Sequence, residues 1–138
     1  MAVFSSAEEM WQVMSTLWER IKADPEMSGS LLKSKLIVQF RYRDPEWVLT
    51  IDSNDGEDMK IINGSGKNKA VVVMSMKADV AHEFWLGRVN VPLAILTGKI
   101  ASQGPTPKAL ALLPVIRQAF PIYAQILEET GKKALVPK

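Results

Sequence analysis

Few side chains in this sequence could do chemistry. There is one histidine, His82, and no cysteine, which removes thiolate nucleophiles, thiolate metal sites and disulfides. His82 stands close to Asp79 and Glu83, a grouping that could hold a metal or serve as an acid–base pair. Metal and triad chemistry need further convergent ligands. Glu83, adjacent in sequence, would point elsewhere on a helix, and Asp79 suits a helix N-cap. His82 is therefore read as a lone surface histidine. Tyr123 is the remaining polar candidate, and no spacing unites it with the other three, so catalysis is the weakest of the functional readings.

Three further clusters have simple structural explanations. Asp52, Asp55, Glu57 and Asp58 resemble a calcium loop only in charge, because the alternating ligand spacing and the closing bidentate glutamate of an EF-hand are missing. A solvated turn explains them. Gly64-Ser65-Gly66-Lys67 falls short of phosphate-loop spacing and lies between two strands rather than before a helix. Arg41, Arg43, Lys60 and Arg88 could gather around an anionic head group or coenzyme moiety, since arginine pairs well with phosphate, but scattered charge is the ordinary condition of a protein surface.

The apolar content is more informative. Among 138 residues, 47% are hydrophobic and seven are methionine, enough to bury a core in one domain over 1–138. Trp11, Trp18, Trp47, Trp85, Phe84, Phe120 and Tyr123 are a large aromatic payload, and methionine adapts to ligands of varied shape. Core packing accounts for them as readily as a ligand cavity does. Seventeen basic residues against fifteen acidic ones, scattered rather than blocked, give no nucleic-acid footprint. Met1 to Ala7 lacks the basic and apolar regions of a signal peptide, and no continuous apolar run approaches the roughly eighteen residues of a membrane span. A cytoplasmic location without stable membrane insertion is expected.

The elements that would position these side chains follow from periodicity. Met10, Val13, Met14, Leu17, Trp18 and Ile21 form one stripe of a helix capped by Ser5 or Ser6 and ended at Asp24-Pro25. From Lys35 the period becomes two: Leu36, Val38, Phe40 and Tyr42 alternate with a set facing water or a neighbour, and after Asp44-Pro45 come Trp47, Leu49 and Ile51. A short strand over 58–62 and a strand over 70–76, whose apolar run suggests cover on both faces, complete four strands whose short loops imply an antiparallel meander. Asp79 then caps a helix ended by Gly87, Asn90 and Pro92 open a second one ended by Gly98, and residues 99–104 form a last strand. Thr106-Pro107 opens a C-terminal helical segment that Pro114 and Pro121 break into pieces. The polar tail from Gly131 to Lys138 is expected to fray.

Ala81-His82-Glu83-Phe84-Trp85-Leu86-Gly87, then Val91-Pro92-Leu93-Ala94-Ile95-Leu96-Thr97-Gly98-Lys99-Ile100 and Gly104, resemble the most recognisable part of the sterol carrier protein 2 domain. The element order upstream is similar as well. Three positions depart from the family's pattern: Pro105 follows Gly104 where an acidic residue is more usual, and Phe84 and Trp85 are bulkier. The resemblance implies an α+β fold, a five-stranded, mostly antiparallel sheet covered by helices. It further implies an apolar tunnel between the layers that takes a fatty acid, fatty acyl-CoA, sterol or isoprenoid, without catalysis and without a cofactor or metal.

Carried onto this sequence, the resemblance implies a lining of Phe84, Trp85, Leu93 and Leu96. The apolar pattern adds Trp47, Leu49, Ile51, Val71 and Val73 from the sheet, and Phe120, Tyr123 and Leu127 from the C-terminal segment. The competing reading is an accessory subunit whose apolar groove takes a partner's helix or a second copy as a homodimer.

Overall fold

The structure is a computed structural model that describes residues 3–132. The expectation of a frayed tail falls, from residue 133 onward, outside the described residues.

Helix α1 (Ala7–Ala23) starts where the Ser6 side chain accepts from the Glu9 N–H and buries Met10, Val13, Met14, Leu17, Trp18 and Ile21, the stripe its periodicity predicts. Asp24 ends it and immediately begins another helix, α2 (Pro25–Ser34), by accepting from the Glu26 and Met27 N–H groups. One aspartate thus serves as C-cap and N-cap. Strands β1 (Ile37–Arg43) and β2 (Trp47–Asp52) form the expected hairpin, and β3 (Lys60–Asn63) extends it.

The meander ends there. Strand β4 (Val72–Lys77) crosses to the other side of β1 and pairs with it in parallel, Val38 opposite Val72 and Tyr42 opposite Met76. Strand β5 (Ala101–Gln103) pairs antiparallel with β4, giving the order β3-β2-β1-β4-β5. Three of the four pairings are antiparallel, so the sheet is mostly antiparallel, but the expectation of a four-strand meander is corrected. Nor is β4 covered on both faces. Val72, Met74 and Met76 are buried, while Val71 is 40% exposed and Val73 is half-buried on the opposite face.

Helices α3 (Ala78–Trp85) and α4 (Val91–Leu96) follow β4. Lys77, not Asp79, is the N-cap of α3, and the Asp79 carboxylate instead accepts from the Val3 N–H at 2.8 Å. Asn90 caps α4 as expected, accepting from the Leu93 N–H. Beyond β5 the chain runs through α5 (Thr106–Leu110), α6 (Leu113–Ile116), a 3-10 turn (Arg117–Ala119) and α7 (Phe120–Glu129). Each new helix carries proline in its first turn, because proline cannot donate within a helix but fits its first positions. By length and composition residues Thr106–Glu129 could cross a membrane. They are folded instead as these short pieces, with Ile116, Ala119, Tyr123, Ile126 and Leu127 in the core.

Helices α1 and α7 pack together at one end of the helical layer. Arg20 donates to both carboxylate oxygens of Glu129, at 2.9 and 2.7 Å, across them. That hydrogen bond is the main reason the Glu129 carboxyl is held below its usual range and the Arg20 guanidinium above its own. A lowered carboxyl pKa contributes stability above the unfolded pKa and loses it as pH falls through the folded one. The difference in melting temperature between the parent and Arg20→Ala is therefore expected to shrink on acidification. A difference that grows at low pH would contradict this role for the pair.

Candidate ligand cavity

Residues from the sheet and from the helices around α3–α6 enclose one apolar cavity. The sheet contributes Val38, Phe40 and Tyr42 from β1, Ile51 from β2, and Met74 and Met76 from β4. The helical side contributes Trp18 from α1, Ala81, Phe84 and Trp85 from α3, and Val91 from α4. Ala109 and Leu110 of α5, Leu112, and Leu113 and Ile116 of α6 extend it, and Leu31 and Ser34 of α2 with Leu36, Ser53 and Ile100 complete it. Alternation along β1 and β4 explains the sheet wall, since every second side chain faces the helices. The cavity volume is about 100 Å³, small beside the roughly 300–1,000 Å³ of pockets that enclose drug-sized ligands. A long acyl chain would enter only if part of the wall moved outward.

Among the described residues, no ionisable acid or base lines this cavity apart from the Tyr42 phenol. Burial pushes that phenol well above its usual range, so it stays protonated at neutral pH. Ser34 and Ser53 are the other hydroxyl groups in the wall. The Ser34 hydroxyl already donates to the Leu31 carbonyl and accepts from the Leu36 N–H. Aromatic rings give the wall stiffness: Trp18 meets Trp85 edge-on with centroids 5.7 Å apart, and Phe84 meets Trp85 at 5.0 Å. Among the described residues, the buried Trp18 Nε1–H has no hydrogen-bond acceptor.

Of the side chains expected to line a ligand site, Ile51, Phe84 and Trp85 meet at this wall. The others lie elsewhere, for definite reasons. Trp47 and Leu49 share the inner face of β2 with Ile51, but the end they occupy is covered by α1. The Trp47 Nε1–H donates to the Met10 sulfur at 2.9 Å, and its ring meets Trp11 edge-on. Val71 and Val73 face the outer side of the sheet, beside Gln39, Arg41, Lys67 and Lys69 in an open polar depression. Leu93 and Leu96 are 53% and 83% exposed, because Val91 and Ala94 are the residues that α4 turns inward. Phe120 packs edge-on against Phe84 and Trp85 from outside the wall. Tyr123 and Leu127 are fully buried in the core.

His82 is not on the surface. It is 3% exposed, with its Nδ1 2.7 Å from the Tyr123 hydroxyl and its ring edge-on to Phe4. The reason is periodicity: Ala78, Ala81, His82 and Trp85 form the buried stripe of α3. Burial pushes the Tyr123 phenol well above its usual range, so it stays protonated and keeps its hydroxyl in the hydrogen bond with the His82 ring. Tyr123→Phe is expected to lower stability by about 1–3 kcal/mol, the cost of losing a buried hydrogen-bond partner. Denaturation showing no loss would contradict that role.

The remaining candidates resolve into local structure. The Asp55 carboxylate accepts from the Glu57 and Asp58 N–H groups at 2.9 Å, and Asp58 foremost, with Glu57 next, lowers its pKa. Asp52 accepts from the Asn54 N–H and the Asn68 side chain. Lys60 pairs with Asp55 and Arg88 with Glu83, while Arg41 donates to Gln39 on the outer sheet face, so these three basic residues engage separate partners. Among the described residues, no three His, Asp or Glu side chains group to hold a metal ion.

No protein-family model matches the sequence, and no curated protein matches it significantly. Solved structures do match. Sterol carrier protein domain 2 of Helicoverpa armigera is 25% identical, covering 81% of this chain and 88% of its own, with a TM-score of 0.66. Sterol carrier protein 2 of Yarrowia lipolytica, in its apo form, is 18% identical over 75% of this chain and 87% of its own, at 0.62. The ubiquinone-synthesis protein UbiJ-SCP2 is 12% identical over 76% and 85%, at 0.59. The mixed five-stranded sheet, its helical cover and these superpositions make the chain a sterol carrier protein 2 domain in fold.

Proposed function

We propose that the protein is a single non-catalytic domain that binds a lipid between its sheet and its α3–α6 layer. The class comprises fatty acids, fatty acyl-CoA, sterols and isoprenoids. The observation that carries the reading is a cavity walled by apolar side chains from both layers. Each buried methylene of a chain contributes roughly 0.8 kcal/mol, so an acyl chain can be held reversibly without a charged partner. The similarity to sterol carrier proteins supports the class without choosing its member.

Entry requires enlargement, and α5 and α6 are the parts of the wall suited to move. They are short, separated from each other by the helix break that Pro114 opens, and mostly half-buried, and short helices with few buried contacts open at low free-energy cost. Hydrogen exchange is expected to be faster over 106–116 than over β1 and β4, and to slow there when a fatty acid is bound. Protection equal to the central strands, with and without lipid, would contradict a mobile wall.

The binding reading itself is tested by titrating the protein with a fatty acid while following tryptophan emission. Trp18 and Trp85 stand in the wall, so saturable binding should shift their emission. A protein that binds no member of a lipid panel would favour the accessory-subunit reading.

A further inference from the structure

We propose that the depression on the outer face of the sheet binds the diphosphate group of a small soluble ligand. The site is independent of the lipid-binding reading, because the sheet stands between it and the apolar cavity. Two features carry it: a loop fastened over the sheet, and positive charge gathered there without an acid to answer it.

The loop is the connection from β3 to β4. Its Gly64 N–H donates to the Val48 carbonyl at 2.8 Å, and the Thr50 hydroxyl donates to the Gly64 carbonyl at 2.6 Å. Further along, the Asn68 side chain donates to the Asp52 carboxylate at 2.9 Å, and the Val71 N–H donates to the Ile37 carbonyl at 2.8 Å. Thr50 and Asp52 are 1% and 4% exposed, so buried polar groups of β2 hold the loop at its start and middle. Gly64 and Gly66 adopt φ +120° and +74°, which glycine reaches without strain. Between these anchors the N–H groups of residues 65–70 have no acceptor among the described residues, and successive free N–H groups in a turning loop suit an anion.

The charge has one sign. Arg41, Lys67 and Lys69 line a depression of about 580 Å³ whose other lining residues are uncharged, a volume within the roughly 300–1,000 Å³ of small-molecule sites. None of the three makes an ion pair among the described residues, whereas Arg20, Lys22, Lys60 and Arg88 each meet a carboxylate. Asp52, the acid tied to the loop, is taken up by the Asn54 N–H and Asn68. Gln39, itself 4% exposed, orients the arginine: its Oε1 accepts from Arg41 Nε at 2.7 Å, which leaves both terminal guanidinium nitrogens for a ligand. A guanidinium held this way offers a fork that matches one phosphate, and the lysines supply point charges for a second. A diphosphate presents separate anionic groups to the arginine and to the lysines, which a single carboxylate or sulfate does not.

The test is calorimetric titration of the whole protein with pyrophosphate at low ionic strength, beside sulfate and a short single-stranded RNA. The parent is expected to bind pyrophosphate saturably, about tenfold more tightly than sulfate, and less tightly as salt rises. Lys67→Gln/Lys69→Gln should weaken binding about 25-fold, about fivefold for each charge. Lys99→Gln/Lys108→Gln removes the same charge outside the depression and should leave the affinity unchanged. Arg41→Lys keeps the charge without the fork and should weaken binding about tenfold. All three variants should keep the parent's thermal melt and its affinity for a fluorescent fatty acid, so failure here and failure of the cavity are read separately. A parent that binds no pyrophosphate, equal affinity for sulfate, equal losses from the two lysine pairs, or parental affinity in Arg41→Lys would overturn the proposal. So would RNA binding without pyrophosphate binding, which would assign this face to nucleic acid.

Discussion

Ala109→Phe is expected to lower affinity for a fatty acid about a thousandfold while leaving the fold intact. Ala109 stands in the cavity wall on α5, and a phenyl ring directed inward would displace roughly five methylenes' worth of ligand, each worth about 0.8 kcal/mol. A sum near 4 kcal/mol corresponds to roughly three powers of ten in affinity. The control is the same gain in size on the outer sheet face. Val71→Phe should leave affinity unchanged, because Val71 belongs to the open depression behind the sheet. Competition titrations against a fluorescent fatty acid decide the matter. Loss with Val71→Phe and none with Ala109→Phe would move the site to the other face.

Gly104→Ala should be the most damaging single methyl group. Gly104 adopts φ +94°, and a Cβ there would run into the backbone carbonyl of Val71. The left-handed backbone costs an alanine roughly 1–2 kcal/mol, and a collision with backbone cannot be relieved by rotating a side chain. A loss of about 3 kcal/mol or more, or detachment of β5, is expected. Gly98 adopts φ +83° with no atom near the added Cβ, so Gly98→Ala should cost only about 1 kcal/mol. Chemical denaturation of the two variants checks the contrast, and equal losses would contradict the close approach of Gly104 to Val71.

Gly98 and Gly104 are also among the residues that carry the family resemblance, and their geometry shows why short motifs are legible in this sequence. Each marks a backbone conformation that few other residues adopt. The amphipathic stripe of α1, the β1–β2 hairpin, the Asn90 cap and the proline-broken C-terminal segment were legible for the same reason: their signals are local. Strand partnership is not local. The parallel pairing of β1 with β4 depends on the chain between residues 64 and 71 passing to the far side of β1, and nothing in a short polar loop specifies that path. Helix α2 leaves little mark in the sequence because it buries only Met27 and Leu31, too little to form a stripe, and because Asp24-Pro25 signals an end as clearly as it signals a beginning.

Of the side chains expected in the lining, some stand at the cavity wall and others on different faces of the same elements. Val71 and Val73 were chosen over Met74 and Met76 from a run that is apolar at both parities, and a shift of one residue moves a strand's side chains to the opposite face. Where one parity was polar, as in Gln39 and Arg41 against Val38, Phe40 and Tyr42, the inward set could be read correctly. His82 carried its signal in the spacing 78, 81, 82, 85, which outranks the polarity of one side chain when the other three are apolar or aromatic. The resemblance implies Leu93 and Leu96 as lining, but on a six-residue helix only one face packs, and the smaller Val91 and Ala94 occupy it.

The most direct test of the lipid-binding account is to purify the protein without denaturant, record native mass spectra of the intact chain, and identify by mass whatever organic solvent extracts from it. The account predicts a bound fatty acid, acyl-CoA, sterol or isoprenoid in stoichiometric amount, or an apo protein that takes up one such lipid when it is offered. A chain that is empty as purified and takes up none of them would contradict it, and the apolar wall around Trp18, Phe40 and Trp85 would then belong to core and interface alone.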